Sequence, residues 1–181
     1  MNEIIVKDKK FSVSISENEI KKTVKNLADK INADYNGKEI FFIGVLNGVF
    51  MFASDLMKNI KVPCTIQFVK VASYQGTTST GVIKELIGLN ADIEGKEVVI
   101  IEDIVDTGFT MKSILSQLRQ KNPASIRIAS LIFKPESFKG GFDVDYIGFN
   151  IPNDFIVGYG LDYDGYGRNL PEIYTICWKL L

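Results

Sequence analysis

The sequence predicts an α/β fold built around a parallel sheet, with extra antiparallel strands to one side. Three observations carry that expectation. Strand-like and helix-like stretches alternate along the 181 residues. Two strand-like stretches, Glu39 to Val45 and Glu97 to Ile101, are nearly continuous apolar runs, as in strands covered on both faces. The last third of the chain is rich in short strand-like runs.

Taken in order, Phe11 to Ile15 alternates apolar and polar residues, the two-residue period of a half-buried strand. Ser16-Glu17-Asn18-Glu19 reads as a capping box. Ile20, Val24, Leu27 and Ile31 follow at helical spacing, and Gly37 lies beyond the end. The Glu39 to Val45 strand leads into Asn47-Gly48 and a short helix from Val49 to Met57. Cys64 to Val71, with its β-branched residues and aromatics, is a strand. Ser73 to Gly81 has no apolar period and reads as a loop, followed by a short strand from Val82 to Leu86. After the Glu97 to Ile101 strand, Thr110 to Gln120 is a helix with Met111, Ile114, Leu115 and Leu118 on one face, ended by Pro123. Ser125 to Phe133, Tyr146 to Asn150, Phe155 to Gly158 and Ile173 to Lys179 are further strands. No composition break, linker or repeat interrupts the chain, so residues 1–181 are read as a single domain.

Composition narrows the function. Hydrophobic residues make up 46% and charged ones 24%, near ordinary usage, so disorder is not expected. Lys plus Arg total 21 against 22 Asp plus Glu, a net charge of -1, which argues against bulk binding to nucleic acid or an anionic membrane. No apolar run approaches the ~18 residues of a membrane span. The segment Met1 to Lys7 is too short and too charged for a signal peptide. Cys64 and Cys177 lie in apolar contexts and read as buried free thiols, so a cytoplasmic setting is the default. The chain has no histidine. That excludes a Ser-His-Asp triad, a Cys-His dyad and a His-ligated zinc. Catalysis must rest on carboxylates, Lys, Tyr, Ser or Thr, backbone amides or an oxygen-bound metal.

The segment Val98 to Thr110 carries the chemistry. An apolar strand ends in Glu102 and Asp103; Asp106 follows, then Thr107-Gly108-Phe109-Thr110 and a helix. In open α/β sheets ligands bind outside the carboxyl ends of the strands, so the acidic pair lies where a ligand would be. Asp106 to Thr110 feeds a helix N-terminus, which attracts an anion. Thr107 and Thr110 add hydroxyl donors, and Gly108 lets the backbone come close. The expectation is a phosphate at the loop and a polyol or hydrated cation at the acidic pair. The plainer reading makes Asp106 or Thr107 a helix cap and leaves Glu102 and Asp103 solvated. A strand end, three acids and a Thr-Gly-x-Thr nest together favour function. The spacing is not that of a Walker A loop, and no Gly-x-Gly-x-x-Gly follows a strand.

This segment resembles the phosphoribosyl pyrophosphate (PRPP) motif of type I phosphoribosyltransferases. Four other stretches make the chain similar to the hypoxanthine-guanine branch of that family. Gly44 to Phe52 resembles its pyrophosphate loop. Ser73-Tyr74, with Ser79-Thr80-Gly81 and Ile83-Lys84, resembles its flexible catalytic loop. Leu131-Ile132-Phe133-Lys134 resembles the strand that delivers a purine-binding lysine. Tyr146 to Pro152, continuing through Phe155 to Tyr163 and Arg168 to Pro171, resembles its C-terminal purine and pyrophosphate site.

The resemblance implies a twisted parallel-centred sheet flanked by helices, with a small strand-rich hood built from the chain ends. It implies purine salvage: PRPP plus hypoxanthine or guanine gives IMP or GMP and pyrophosphate, with Mg2+ as cofactor. It assigns Glu102 and Asp103 to the ribose diol and the metal shell, and Asp162 to a second metal-linked position beside the purine. Asp106 becomes the base at purine N7, and Asp106, Thr107, Gly108, Phe109 and Thr110 hold the 5′-phosphate. Asn47, Gly48 and Arg168 meet pyrophosphate, while Ser73 and Tyr74 belong to the closing loop. Lys134 donates to the purine 6-oxo group, Phe155 stacks on the ring, and the backbone near Ile156 faces its Watson–Crick edge. There are two departures. Phe109 stands where many relatives carry a polar or basic residue, and Asn47 where many have Lys or Arg, at a peptide bond that is often cis. A homodimer or homotetramer is expected. A xanthine-preferring transferase and a PRPP-sensing RNA-binding regulator are the alternatives; the near-neutral charge and the continuous purine-site block argue against the regulator.

Overall fold

A computed structural model of the chain describes residues 3–73 and 84–177. Its elements in chain order are β1 (Glu3–Val6), β2 (Lys9–Ile15), α1 (Glu17–Asp34), β3 (Ile40–Leu46), α2 (Phe50–Met57), β4 (Cys64–Ser73), β5 (Lys84–Ile87), β6 (Glu97–Val105), α3 (Phe109–Arg119), β7 (Ser125–Phe133), β8 (Tyr146–Asn150), β9 (Ile156–Val157) and β10 (Ile173–Ile176). The larger sheet has the order β5-β4-β3-β6-β7-β8. Its strands run parallel except β5, an antiparallel edge on β4. The smaller sheet, β1-β2-β10-β9, is antiparallel and joins the two ends of the chain, as the hood expectation requires.

The layers follow from strand geometry. Successive side chains of a strand point to opposite faces. Phe42, Val99 and Ile101 pack with α1 and α2 on one face. Phe41, Ile43, Val98 and Ile100 pack with α3 on the other. Two covered faces explain why these strands read as unbroken apolar runs. The α1 helix starts where expected: Ser16 is the N-cap, and its capping box with Glu19 is complete. Ile20, Val24, Leu27 and Ile31 are all buried. The hood has a small core of its own, Val6, Phe11, Val157, Tyr174 and Ile176. It sits on the larger core through Ile15, Ile156, Tyr159 and Ile173.

The structure departs from the sequence reading in several places. β1 was not expected; it pairs with β2 across a two-residue turn, Lys7-Asp8, with Val6 opposite Lys9. Lys7 takes the left-handed φ of 55° there without a glycine to announce it. β6 does not end at Ile101 but runs on to Val105, carrying Glu102 and Asp103 inside the strand. Cys64 and Cys177 are free but only partly buried. The loop expected from Ser73 to Gly81 lies outside the described residues beyond Ser73, which ends β4. Tyr74, the first part of the Val82 to Leu86 strand, and Trp178 and Lys179 lie outside them too.

One detail of register positions everything that follows. β3 pairs with β6 only as far as Gly44 opposite Ile101. Beyond that, β3 continues along β4 to Leu46 opposite Lys70, and β6 continues along β7 to Val105 opposite Phe133. The two central strands therefore part at their carboxyl ends. The chain also reverses its direction of winding between β3 and β6, which makes the gap a topological switch point.

Candidate active site

Glu102 and Asp103 sit on the β6 side of this gap, each 9% exposed. The plainer reading of them as solvated acids is thus corrected: β7 flanks the strand segment that carries them. Burial pushes the Glu102 carboxyl well above its usual range, and the neighbouring Asp103 charge pushes further. Burial also raises Asp103, against hydrogen bonds from Glu102 and from the Ile104 N–H. The Asp103 Oδ1 to Ile104 N distance is 2.8 Å. The favoured arrangement has the proton on Glu102, donated to Asp103. Two buried, mutually repelling carboxylates with oxygen-only donors fit a hard divalent cation, which would take over what that proton does. Among the described residues, no group of three or more Cys, Asp or Glu side chains gathers into a metal cluster.

The loop after β6 lies against α3. The helix N-cap is Gly108, in the left-handed region at φ 81°, with no side-chain cap bond. Neither Asp106 nor Thr107 occupies the capping position, so the cap interpretation is also corrected. A helix leaves its first-turn N–H groups without intrahelical partners, and Asp106, Thr107, Gly108 and Thr110 line a cavity of about 330 Å³ there. Val45, Val71 and Met111 form part of its apolar wall. The volume is at the small end of ligand pockets. Phe109 is 58% exposed and is not part of that lining. The loop is held from behind by the segment after β7. The Lys139 N–H donates to the Thr107 carbonyl at 3.0 Å. The Phe138 ring lies against Gly108 and is fixed edge-on between Phe133 and Phe142, with centroids 5.1 and 5.0 Å away.

Lys134 follows β7 and is 6% exposed. Its Nζ lies 3.4 Å from Asp106 Oδ2. The register explains the meeting: Val105 and Phe133 are opposite each other, so the next residues of the two strands are neighbours. The Lys134 N–H also donates to the Val105 carbonyl at 3.0 Å. In the hood, Phe155 is 40% exposed. Its ring stands edge-on to Tyr163 with a centroid distance of 5.8 Å and tilted to Phe11 at 6.3 Å. Ile156 is buried and pairs with Thr175.

On the β3 side, the Leu46-Asn47 peptide is cis. Gly48 is pressed against Asp103, and Gly160 of the hood is pressed against the Gly48 carbonyl; a Cβ on either glycine would collide. Arg168 does not stand alone. Its Nη2 pairs with Asp162 Oδ1 at 2.7 Å, and its Nη1 donates to the Gly160 carbonyl at 2.8 Å. The other Asp162 oxygen accepts from the Gly165 N–H at 2.7 Å. The structure therefore gives Asp162 to Arg168 and Gly165, and the acid pair to itself. Sequence reasoning missed Phe138 and Gly140 behind the loop and Gly160 against Gly48. The spacings Gly158-x-Gly160 and Gly165-x-Gly167 were the available signal, since all four glycines take positive φ.

A carboxylate pair and a helix-terminal anion nest at the switch point of a parallel sheet, under a strand hood with an exposed aromatic ring, define an α/β protein built to handle a phosphorylated sugar. The model of the phosphoribosyl transferase domain matches residues 14–164, and the chain belongs to that family. It is 42% identical to a hypoxanthine-guanine phosphoribosyltransferase of Aquifex aeolicus (strain VF5) over 94% of this chain and 97% of that one. It is 42% identical to the protein of the same name from Staphylococcus aureus (strain Mu50 / ATCC 700699), over 91% of this chain and 92% of the relative. A crystal structure of a hypoxanthine-guanine phosphoribosyltransferase from Bacillus anthracis superposes with a TM-score of 0.83 at 36% identity, covering 97% of this chain and all of that chain. Among the described residues no helix is long and apolar enough to cross a membrane.

Proposed function

We propose that this chain, working as one domain over residues 1–181, transfers the 5-phosphoribosyl group of PRPP to hypoxanthine or guanine in purine salvage, giving IMP or GMP plus pyrophosphate. The observation that carries the reading is the Lys134–Asp106 pair beside the anion nest. A cationic donor next to an anionic acceptor complements the adjacent O6 and N7–H of an oxopurine. Adenine would turn N–H donors toward the lysine, so the same pair rejects it.

The roles proposed for the site residues are those the family resemblance implies. The 5′-phosphate binds at Asp106 to Thr110 through backbone N–H groups and threonine hydroxyls. Glu102 and Asp103 would accept hydrogen bonds from the ribose diol and would hold Mg2+; Asp162, whose oxygens are taken by Arg168 and Gly165, would act on the metal shell and the purine only from that pair. Bound Mg2+ would supply positive charge to the departing pyrophosphate. Asn47, Gly48 and Arg168 contact the pyrophosphate; with no lysine or arginine at position 47, Arg168 and backbone groups carry that contact. Lys134 fixes the purine O6, Phe155 stacks on the ring, and the backbone at Ile156 meets its far edge. Ser73, the last residue of β4, and Tyr74, which lies outside the described residues, are assigned to the family's catalytic loop. In the transfer, purine N9 bonds to C1′ as the C1′–O bond to pyrophosphate breaks. Asp106 takes the N7 proton or stabilises it as it leaves. The setting is cytoplasmic and the assembly a homodimer or homotetramer, for which Phe50 of α2, 43% exposed, offers apolar surface.

A turnover assay with PRPP, Mg2+ and a panel of bases tests this. Hypoxanthine and guanine are converted; adenine and uracil are not. Turnover of no base, with tight RNA binding instead, refutes the enzyme reading. Asp106→Asn lowers turnover more than PRPP affinity, and Lys134→Ala weakens purine selection. Unchanged purine kinetics in the lysine variant would remove it from the site.

A further inference from the structure

We propose that Tyr159 and Asp55 form a positioning pair that sets the pyrophosphate end of the site, an inference that rests on the function proposed above. Tyr159 lies between Gly158 and Gly160, and all three residues take positive φ, 103°, 48° and 98°. Glycine adopts that region without penalty, whereas a tyrosine is strained in it. Its side chain must therefore contribute something the turn needs. The ring is 3% exposed, buried in the core cluster that holds α2. The hydroxyl donates to Asp55 Oδ2 at 2.7 Å. Asp55 is itself held from its other oxygen by Lys58 Nζ at 2.8 Å. The hydrogen bond thus ties the hood turn to the helix that follows the pyrophosphate loop.

What the turn presents is Gly160. Its N–H donates to the Arg168 carbonyl at 2.9 Å, and its carbonyl accepts from the Arg168 guanidinium at 2.8 Å. Its Cα packs against the Gly48 carbonyl, and Gly48 packs against Asp103. Arg168 and Gly48, two of the three proposed pyrophosphate contacts, are both indexed to one residue. That residue is indexed to α2 through Tyr159. Neither Tyr159 nor Asp55 needs to touch substrate to act in this way.

The test uses the full chain and compares PRPP with IMP, since IMP engages the 5′-phosphate nest and purine pocket but has no pyrophosphate. Tyr159→Phe keeps the ring and removes the hydroxyl. Asp55→Ala removes the acceptor, and Asp55→Asn keeps one. Calorimetric titration with PRPP and Mg2+ is expected to show roughly two- to twelvefold weaker binding for Tyr159→Phe and Asp55→Ala, the range that one hydrogen bond sets. IMP affinity stays within about twofold of wild type, Asp55→Asn recovers most of the PRPP affinity, and the double variant Tyr159→Phe/Asp55→Ala is no worse than either single one. Loss of thermal stability with unchanged PRPP binding, or equal weakening of PRPP and IMP, overturns the positioning role. A wild-type chain that binds neither ligand refutes the functional reading itself, and this inference with it.

Discussion

A methyl group added at Gly108 tests whether the phosphate nest is held from behind. Gly108 has φ +81°, and a Cβ there would lie 2.7 Å from a ring carbon of Phe138 and 3.0 Å from the Gly140 Cα. Two costs add. An L side chain in the left-handed region costs about 1–2 kcal/mol. Overpacking adds about 1–3 kcal/mol more, because the ring is wedged between two others and Gly140 offers backbone, which cannot rotate away. Gly95 separates the two, since it has φ +67° and nothing within 4 Å of its Cβ. Gly95→Ala is therefore expected to lose about 1–2 kcal/mol and Gly108→Ala about 2–5 kcal/mol in urea unfolding. For a chain of this size each kcal/mol moves the Tm by roughly 2–4 °C, so a thermal melt resolves the difference. Only Gly108→Ala should also weaken IMP binding. Equal stability losses in the two variants, or normal IMP affinity in Gly108→Ala, would show that Phe138 does not support the nest.

Two further perturbations address the acid pair. Burial raises the Glu102 carboxyl above its unfolded value near 4.5, so the folded state binds more protons between those two values and its stability falls as pH rises through that window. With EDTA present, Glu102→Gln should flatten this dependence and gain stability over wild type at neutral pH while losing PRPP and Mg2+ binding; identical pH profiles for both proteins would contradict the assignment. Gly48 does not take a positive φ, so its intolerance of a Cβ comes from contact with Asp103 alone. Gly48→Ala should destabilise the wild type markedly but cost little in an Asp103→Ala background, and additive losses in the double variant would refute the contact.

The parts of the fold that rest on local pattern were legible. Ser16 and Glu19 announced α1, and the apolar runs of β3 and β6 announced strands covered twice. What the sequence could not show depends on pairing. β1 exists because β2 lies beside it, and its turn residue Lys7 carries no glycine signal. β6 seemed to end at its carboxylates because charge ordinarily marks a loop, yet β7 beside it keeps Glu102 and Asp103 in the strand and out of water. The site shows the same division. Glu102, Asp103, Asp106 and the Thr-Gly-x-Thr turn stood together in the chain, so they could be read as one candidate site. Lys134 and Asp106 are 28 residues apart and meet only through the register of β6 with β7. Asp162 and Arg168 each looked like a separate ligand contact, whereas the glycine turns between them fold the two into one ion pair.

The location of the site follows from where the sheet stops being a sheet. Where β3 and β6 pair from Phe41 opposite Val98 to Ile43 opposite Ile100, their side chains belong to the two core layers. After Gly44 and Ile101 the strands separate, and the β6 edge from Glu102 onward faces a gap instead of a partner strand. Carboxylates buried at that point need a shared proton or a cation to complete them, which is the basis of the Mg2+ and ribose-diol site proposed for the gap. The same gap is narrow, because Gly48 and Gly160 bring two backbones into contact beside Asp103. Side chains at either position would fill it. The left-handed turns around Gly160 and the buried acid pair oppose folding locally, and neither makes sense as a stability device. They are tolerated because the apolar layers on both faces of the sheet are continuous beneath them, so the cost and its compensation occupy different parts of one architecture.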